Sequence, residues 1–369
     1  MRAIRRALLA AALFVPSLSL AGELTVDFLD VGQGDAMLIR GGGKAVLIDA
    51  GIKRARVAAQ LAALDVTSLD LVIVSHPHAD HMGGMEQVLR SMPVGLYIDN
   101  GMTHTTQTYE KLMVAIEELG IPYRSGRSGM ELTLGDEAVM NVILPGDTLL
   151  RDTRSDLNSN SVVVVLTHGE MDFLFTGDAE EPTEALLARQ DLPSIDVLKV
   201  SHHGSDHSSS TSFLRSINPP VAVISCGEDN RYGHPAPEAL ERLSSAGALV
   251  YRTDQSGHIR AISNGTTVEM LELGNFTGIT VEPRAMRQIG TPSVSASPLD
   301  LRTRPTLQTV PEYSSPAESA ESAESAESAT TSTSGLSLSG VRNVPVEPPL
   351  TPKQRRKRER QERRDARRQ

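Results

Sequence analysis

Cysteine and aromatic residues are scarce in this sequence. The chain has one cysteine among 369 residues, so it cannot form an intramolecular disulfide, and its fold must be held by a hydrophobic core and by any bound metal. That residue, Cys226, ends the apolar run Val221–Ser225 and is predicted to be a buried structural thiol, with a metal ligand as the alternative. Tryptophan is absent, and aromatic residues make up 3% of the chain. Base-stacking surfaces like those of single-strand-binding proteins are therefore expected to be few.

Long apolar runs are also missing. The amino-terminal run Ala7–Val15 falls short of the ~20 residues that a membrane-spanning helix needs. It follows three arginines within the first six residues and precedes the small-x-small triplet Ser19–Ala21, which is the organisation of a secretory signal peptide. We therefore predict a signal peptide over residues 1–21, a periplasmic or secreted protein, and no transmembrane channel in this chain. An uncleaved membrane anchor is the alternative.

Composition divides the rest of the chain into a folded part and a tail. Residues 22–275 alternate apolar strands with amphipathic helices and are long enough for one large core. Residues 276–350 are rich in Ser, Pro, Thr and Ala, with a repeated Ala-Glu-Ser triplet, and are predicted to form a disordered linker. Residues 351–369 form a basic tail. The formal net charge of −10 combines about +7 in this tail with about −17 elsewhere.

This charge distribution bears on partners. The basic tail is predicted to bind nucleic acid, anionic lipid or an envelope polymer, and a solvated charge run without a partner is the alternative. The acidic body would not attract polyanions from a distance, although bound metal ions would change the field near a site.

The segment Ser75–Gly84, reading SHPHADHMGG, concentrates three histidines and an aspartate between a predicted buried strand and a predicted helix. In an extended segment His76 and His78 project to one side, and the following turn can bring Asp80 and His81 in from another direction. Imidazole and carboxylate ligands suit zinc, manganese or iron. The lack of nearby thiols argues against a closed structural zinc site. A polar loop with coincidental histidines is the alternative.

Other polar residues also follow predicted strands. Asp49 could accept a proton from a ligand histidine and so fix its tautomer, or it could be an ordinary turn aspartate. Asp178 could bind metal or cap the next helix. His202 and His203 come directly after another apolar strand. His104 lies in a loop and is expected to be solvated, with lining of the site as the alternative.

The run His76-Pro77-His78-Ala79-Asp80-His81 resembles the HxHxDH signature of the metallo-β-lactamase superfamily. The segments FLDVGQGDA, LIDAG, TGD, LKVSHHGS and RYGHP narrow this resemblance to the soluble domain of DNA-internalisation competence proteins of the ComEC type. The match covers about residues 23 to 272. It implies an α/β fold, the αββα sandwich, with the site along one edge of two facing sheets. Strand and helix spacing alone would not distinguish this from another α/β arrangement.

The resemblance implies Zn or Mn as cofactor, one or two ions per chain, held by six ligands: His76, His78, Asp80, His81, Asp178 and His202. Asp178 would bridge two ions, the first two histidines would hold one ion, and the remaining three residues would hold the other. A loop histidine common in the family is missing, because that region reads SDLNSNS. A single high-affinity metal, Mn in place of Zn, or a ligand borrowed from His234 all stay open.

The implied chemistry is hydrolysis by a metal-bound hydroxide oriented by Asp80. His203 and His234 would contact substrate oxygens or protonate the leaving group, and Ser205 and Asp35 would bind substrate; structural hydrogen bonding is the alternative. We predict an exported metal-dependent hydrolase, first of all a phosphodiesterase or nuclease-like enzyme. Hydrolysis of a small ester, lactone or β-lactam is one alternative, although the missing loop histidine argues against a typical β-lactamase. A non-enzymatic metal-containing module docked by its basic tail is the other.

Overall fold

The computed structural model describes residues 22–135 and 138–274, together with the backbone of two further segments, Arg284–Gly290 and Leu338–Ser339. Both segments fall within the predicted linker and form strands at sheet edges. The predicted signal peptide, the rest of the predicted linker and the basic tail lie outside the described residues. In the described part of the chain, no helix is both long and apolar enough to cross a membrane.

Residues 22–125 build six strands and four α-helices. The strands are β1 (Leu24–Phe28), β2 (Met37–Gly41), β3 (Lys44–Ile48), β4 (Leu71–Ile73), β5 (Tyr97–Asp99) and β6 (Tyr123–Ser125). The helices are α1 (Val57–Ala63), α2 (Ala79–Met82), α3 (Met85–Ser91) and α4 (Gln107–Glu118). A 3-10 turn, Lys53–Ala55, precedes α1. The predicted hairpin before residue 41 is present, because β1 and β2 pair antiparallel.

The second half repeats this organisation. Its strands are β7 (Glu131–Leu134), β8 (Ala138–Leu144), β9 (Val163–His168), β10 (Met171–Phe175), β11 (Val197–Lys199), β12 (Val221–Ile224), β13 (Leu249–Arg252), β14 (His258–Ser263) and β15 (Thr267–Gly274), followed by the backbone strands β16 (Arg284–Gly290) and β17 (Leu338–Ser339). Its helices are α5 (Asp156–Ser159), α6 (Glu181–Leu187), α7 (Thr211–Ile217), α8 (Pro237–Ser245) and α9 (Thr253–Ser256). A 3-10 turn, Ser201–Gly204, follows β11.

The described strands form two sheets, each part antiparallel and part parallel. One has the order β16-β15-β14-β1-β2-β3-β4-β5-β6 and the other β13-β12-β11-β10-β9-β8-β7-β17. The sequence pattern accounts for both kinds of strand. β8 alternates buried and partly buried residues, as expected of a strand with one face on a core, whereas all four residues of the parallel strand β12 are buried.

Three hydrophobic clusters hold the layers together. The central one lies between the sheets, where the rings of Phe28 and Phe175 are 6.4 Å apart. A second cluster joins the first sheet to α1, α3 and α4, and a third joins the other sheet to α7 and α8. Helices thus cover the outer face of each sheet, and the predicted αββα sandwich is confirmed.

The parallel strands determine where the functional side chains gather. β3 and β4 run parallel in one sheet, and β10, β11 and β12 run parallel in the other. In α/β sheets the carboxyl ends of such strands commonly form the ligand-binding edge. Asp49, His76, Asp178 and His203 all lie in the short segments that follow these strand ends. A hydrogen bond from the Val162 amide to the Ser75 carbonyl, 2.8 Å long, links the two halves beside this edge.

Candidate metal centre

Two groups of potential ligands converge at this edge and share Asp178. The first ligand set is His76, His78 and Asp178, whose ligand atoms lie within 4.8 Å of one another. The second ligand set is Asp80, His81 and His203, whose ligand atoms also lie within 4.8 Å of one another, together with Asp178, whose other oxygen faces the two histidines. In the first set His76 Nε2 is 2.9 Å from His78 Nδ1 and 3.7 Å from Asp178 Oδ2.

The second ligand set faces the other oxygen of Asp178. Asp178 Oδ1 is 3.1 Å from His81 Nε2 and 3.6 Å from His203 Nε2. His203 Nε2 is also 3.5 Å from Asp80 Oδ2. The two oxygens of one buried carboxylate therefore point toward two separate groups of nitrogen and oxygen donors, as a ligand that bridges two ions would.

With the Nε2 atoms of both histidines unprotonated, three of these atoms are buried without a hydrogen-bond partner among the described residues: His81 Nε2, His203 Nε2 and Asp178 Oδ1. Leaving a buried polar atom unpaired costs about 1–3 kcal/mol, so such a concentration at one point needs an explanation. A bound cation would satisfy all three, and nitrogen and carboxylate donors are what divalent transition metals prefer. The residues of both ligand sets are therefore suited to bind divalent metal ions.

Contacts on the far side of each ring fix the ligand tautomers. Nδ1 of His81 lies 2.8 Å from Oδ2 of the fully buried Asp49, which also accepts bonds from the amide and hydroxyl of Ser75. Nδ1 of His203 lies 2.9 Å from the carbonyl oxygen of Ser225. Because an acceptor faces each Nδ1, the proton belongs there, and the Nε2 lone pair is left to face Asp178.

Asp35, predicted to bind substrate, is instead 0% exposed and lies behind the ligands. Its Oδ1 is 3.2 Å from His203 Nδ1, and its Oδ2 is 2.8 Å from Nζ of Lys199, which is also 0% exposed. Lys199 was not identified as a site residue from the sequence. The sequence feature that could have indicated it is a single cationic residue at the end of the otherwise apolar strand β11.

Electrostatics supports a site for positive charge. Although burial opposes it, the carboxylates of Asp178 and Asp49 raise the pKa of His81, and those of Asp178 and Asp35 raise the pKa of His203 to about 10. Burial would raise the pKa of Asp178, but the charges of His81 and His203 outweigh it and hold that pKa well below 3.8. The field that stabilises protons on these histidines would equally stabilise a divalent cation in their place.

The family model of the metallo-beta-lactamase superfamily matches residues 29–228. The chain belongs to this superfamily. It is 32% identical to ComE operon protein 3 of Bacillus subtilis (strain 168), over 66% of this chain and 33% of that protein. It is 34% identical to Recombination protein 2 of Haemophilus influenzae, over 64% of this chain and 28% of that protein. The chain thus spans about a third of the length of these curated relatives.

A third relative is Competence protein ComA of Neisseria gonorrhoeae, 28% identical over 64% of this chain and 32% of that protein. The predicted resemblance to competence-type metallo-β-lactamases is therefore confirmed. Among solved structures, the metallo-beta-lactamase fold protein YhfI from Bacillus subtilis aligns with a TM-score of 0.44 at 13% identity, covering 63% of this chain and 96% of that one. Membership of the metallo-beta-lactamase superfamily implies divalent metal ions, in keeping with the two ligand sets described above.

A cleft of about 410 Å³ opens onto the ligand sets. His202, predicted to be a ligand, belongs to neither set within the described residues. Its Nε2 is 3.7 Å from Asp178 Oδ2, and its Nδ1 is 3.5 Å from Glu180 Oε1. The side chain of Asn158, in the loop without the expected histidine, donates to the same Glu180 oxygen at 3.2 Å. Glu180 was another residue that sequence reasoning missed, although it lies two positions from Asp178.

His234 and His104 also line this cleft. The His234 ring lies 5.5 Å from that of His202 and 6.3 Å from that of His203, and burial, together with the charges of those two residues, lowers its pKa to about 4. The His104 ring lies 6.0 Å from that of His78. Its position therefore agrees with the alternative that His104 lines the site. Ser205 is buried at the end of the turn that carries His202 and His203.

Backbone geometry brings these turns together. Gly34 has a φ of +140°, and a Cβ there would collide with the carbonyl oxygen of Asp80, so only glycine lets the turn before Asp35 approach the ligand turn. His202 and His203 have φ of 48° and 55°, in the left-handed region that side chains rarely adopt. Such backbone strain is typical of functional sites, and here it turns two adjacent histidines toward different parts of the site.

Proposed function

We propose that this protein is a metal-dependent phosphodiesterase of the nuclease type. The observation that carries the proposal is the pair of ligand sets on the two oxygens of Asp178. Two-ion sites with a shared ligand are a recurring solution for the in-line displacement at phosphorus, which has to stabilise both the attacking and the leaving oxygen. The competence-type relatives support a nucleic-acid context, and the nitrogen and oxygen donors support Zn or Mn.

When bound, divalent ions at the two ligand sets would lower the pKa of water to ~7 and neutralise the charge that develops on the attacked phosphate. His203 would be a ligand in our assignment, because its Nε2 is buried and faces Asp178 and Asp80. His202, which lines the cleft, would take the role expected of His203 and contact substrate oxygens or protonate the leaving group. Glu180 would hold its ring by the Nδ1 side.

Asp80 and His234 would act on the substrate side. The Asp80 carboxylate lines the cleft and can accept a hydrogen bond from the attacking water. His234 is neutral near pH 7, because its pKa is lowered to about 4, and it can donate a hydrogen bond to a phosphate or leaving-group oxygen. Asp35, buried with Lys199, would orient His203 and would not touch the substrate.

We propose that the chain is exported, on the arginine and apolar pattern of its first 21 residues. Fractionation of cells, with amino-terminal sequencing of the mature chain, tests this. Recovery of an unprocessed chain from the cytoplasm would contradict it.

The central test is the metal content of the purified full chain together with turnover of a generic phosphodiester, single-stranded DNA and nitrocefin. Asp178→Ala should lose bound metal and turnover together, because it removes the shared ligand. His234→Ala should retain metal while turnover falls ~10²- to 10⁴-fold, the usual effect of losing one proton-transfer group. Equal residual activity of the wild type and Asp178→Ala on every substrate would defeat the hydrolase proposal and leave the metal-containing binding module.

A further inference from the structure

A groove of about 1060 Å³ continues from the catalytic cleft across the surface. The groove and the cleft share three lining residues, Gln33, Asp80 and Tyr232, so they form one continuous depression. The cleft of about 410 Å³ has room for the reacting phosphodiester and little more, whereas the groove has room for several further units of a chain. A small diester would leave this groove unused.

Tyr232 stands where the groove meets the cleft. It is 54% exposed, and among the described residues no other aromatic ring of Phe or Tyr is exposed. The other described tyrosines, at positions 97, 109, 123 and 251, are buried in the core. Because Tyr232 lines both the groove and the cleft, its exposed ring is available to stack with a group bound there.

Tyr232 is also the outer end of a row of nearly parallel rings that starts at the metal ligands. The rings of His203 and His234 are 6.3 Å apart with an interplanar angle of 30°, and those of His234 and Tyr232 are 5.8 Å apart at 26°. The Arg231 guanidinium carbon lies 4.9 Å from the centre of the Tyr232 ring. These flat groups extend from the site of chemistry into the groove at the spacing of stacked rings.

Cations lie elsewhere along the groove. Lys53 and Arg54, on the 3-10 turn before α1, line it with exposed side chains, and within the described residues neither has a carboxylate partner. The groove also contains Asp30, Glu228 and Asp229, so its three cationic residues face three acids outside the ligand sets. Its charge is balanced, which favours recognition by local contacts over long-range attraction of a polyanion.

We infer that the groove binds a single-stranded nucleic-acid segment flanking the scissile phosphate, with a nucleobase stacked on the Arg231–Tyr232 platform and phosphates held by Lys53 and Arg54. Single strands are favoured because a base must leave its own helix to stack on a protein ring. The inference rests on the proposed function and goes further, because it identifies side chains outside the metal centre that select a chain over a small diester.

Stacking is tested by binding of the full chain, loaded with Mn²⁺, to a fluorescein-labelled single-stranded oligodeoxynucleotide with cleavage-resistant phosphorothioate linkages. Fluorescence anisotropy should show a Kd about 5- to 150-fold weaker for Tyr232→Ala, the range expected for one lost base–aromatic stack. Tyr232→Phe keeps the ring and should bind like the wild type. An abasic strand of the same length offers nothing to stack, so the wild type and Tyr232→Ala should bind it equally.

Phosphate contacts are tested by salt dependence. Each contact to a single strand contributes about 0.7 to the slope of log K against log salt, so Lys53→Gln combined with Arg54→Gln should lower that slope by about 1.4. Tyr232→Ala should leave the slope unchanged. The matched control is Arg56→Gln with Arg215→Gln, which removes the same charge from exposed arginines that line neither the groove nor the cleft. The basic tail is the same in all these proteins, so a difference in salt slope between variants does not originate in the tail.

The outcomes separate the two proposals. Unchanged oligonucleotide affinity in Tyr232→Ala, or the same loss of affinity in the arginine control as in the groove variant, would overturn the inference even if the wild type hydrolyses a small phosphodiester. Equal affinity for duplex and single strand would overturn it as well. If no phosphodiester is turned over but the Tyr232 and Lys53/Arg54 effects appear as expected, the groove stands and the proposed hydrolase function fails.

Discussion

Replacing His202 and His203 one at a time gives the sharpest test of the metal centre, because the family resemblance and the geometry disagree about which one is the ligand. His203 Nε2 is buried between Asp178 and Asp80, at 3.6 and 3.5 Å, whereas His202 Nε2 lies 3.7 Å from Asp178 alone and its ring is partly exposed. His203→Ala would therefore remove one of the four donors of the second ligand set, and His202→Ala would remove none from either set.

The expected magnitudes follow from these positions. Loss of an outer partner of a metal ligand typically costs 10- to 100-fold in metal affinity, so loss of the ligand itself should cost more than about 100-fold for the second ion. The first ligand set stays complete in His203→Ala, and one ion per chain should remain. His202→Ala should bind as many ions as the wild type, while turnover of a phosphodiester falls ~10²- to 10⁴-fold because a group facing the substrate is gone.

The assay is elemental analysis of each variant after dialysis against a metal buffer, with competition against a chelator to obtain the affinities. Circular dichroism of both variants checks that the fold is retained. Loss of one ion in His202→Ala and full occupancy in His203→Ala would refute the geometric assignment and restore the ligand set inferred from the family resemblance.

Two further predictions concern buried charges around the site. Lys199→Met should lower the free energy of unfolding by about 3–5 kcal/mol, because it removes the cation beside Oδ2 of the fully buried Asp35 and leaves only the contact of Oδ1 with His203. Lys44→Met, at the partly exposed pair with Asp70, should cost no more than about 1 kcal/mol in urea unfolding. Burial lowers the pKa of His258 from 6.5 to about 4, and its Nδ1 accepts a 3.0 Å bond from the Asp30 amide only when unprotonated. Since the folded pKa is the lower one, this stability is present above pH 6.5 and should be lost between about pH 6.5 and 4, by up to ~3 kcal/mol. His258→Gln should reduce this dependence of the free energy of unfolding on pH, whereas replacement of the exposed His207 by Gln should not. Identical pH profiles for wild type and His258→Gln would contradict the second prediction, and equal losses for the two lysine variants would contradict the first.

Much of the fold and part of the site could be predicted from sequence, because both depend on local pattern. Apolar runs such as Val221–Ile224 indicate buried strands, and parallel strands bring the residues that follow them to one edge. The strand ends predicted ligand-bearing segments, the family resemblance predicted that His76, His78, His81 and Asp178 form one site, and the structure brings these residues together.

What the sequence could not resolve depends on backbone angles and on long-range packing. His202 and His203 are adjacent and chemically identical, and only the left-handed turn that holds them decides which imidazole faces the ligand sets. Asp35 and Lys199 are 164 positions apart, and neither is distinguishable by local pattern from an ordinary turn aspartate or a strand lysine. The position of Tyr232 could not be predicted from composition, because a low aromatic content does not show where the few aromatic rings lie.

The acidic character of the body does not conflict with an anionic substrate. Four carboxylates, those of Asp35, Asp49, Asp80 and Asp178, gather within a few ångströms of the ligand nitrogens, and Lys199 offsets one of them. Such a cluster raises the affinity for cations at the place where a phosphodiester would have to react, and divalent ions there reverse the local field. The exposed carboxylates outside the site are screened within about 8–10 Å at physiological salt. Attraction of a polyanion would then depend on metal occupancy at short range, and selection among phosphodiesters would depend on the Arg231–Tyr232 platform and on Lys53 and Arg54 of the groove.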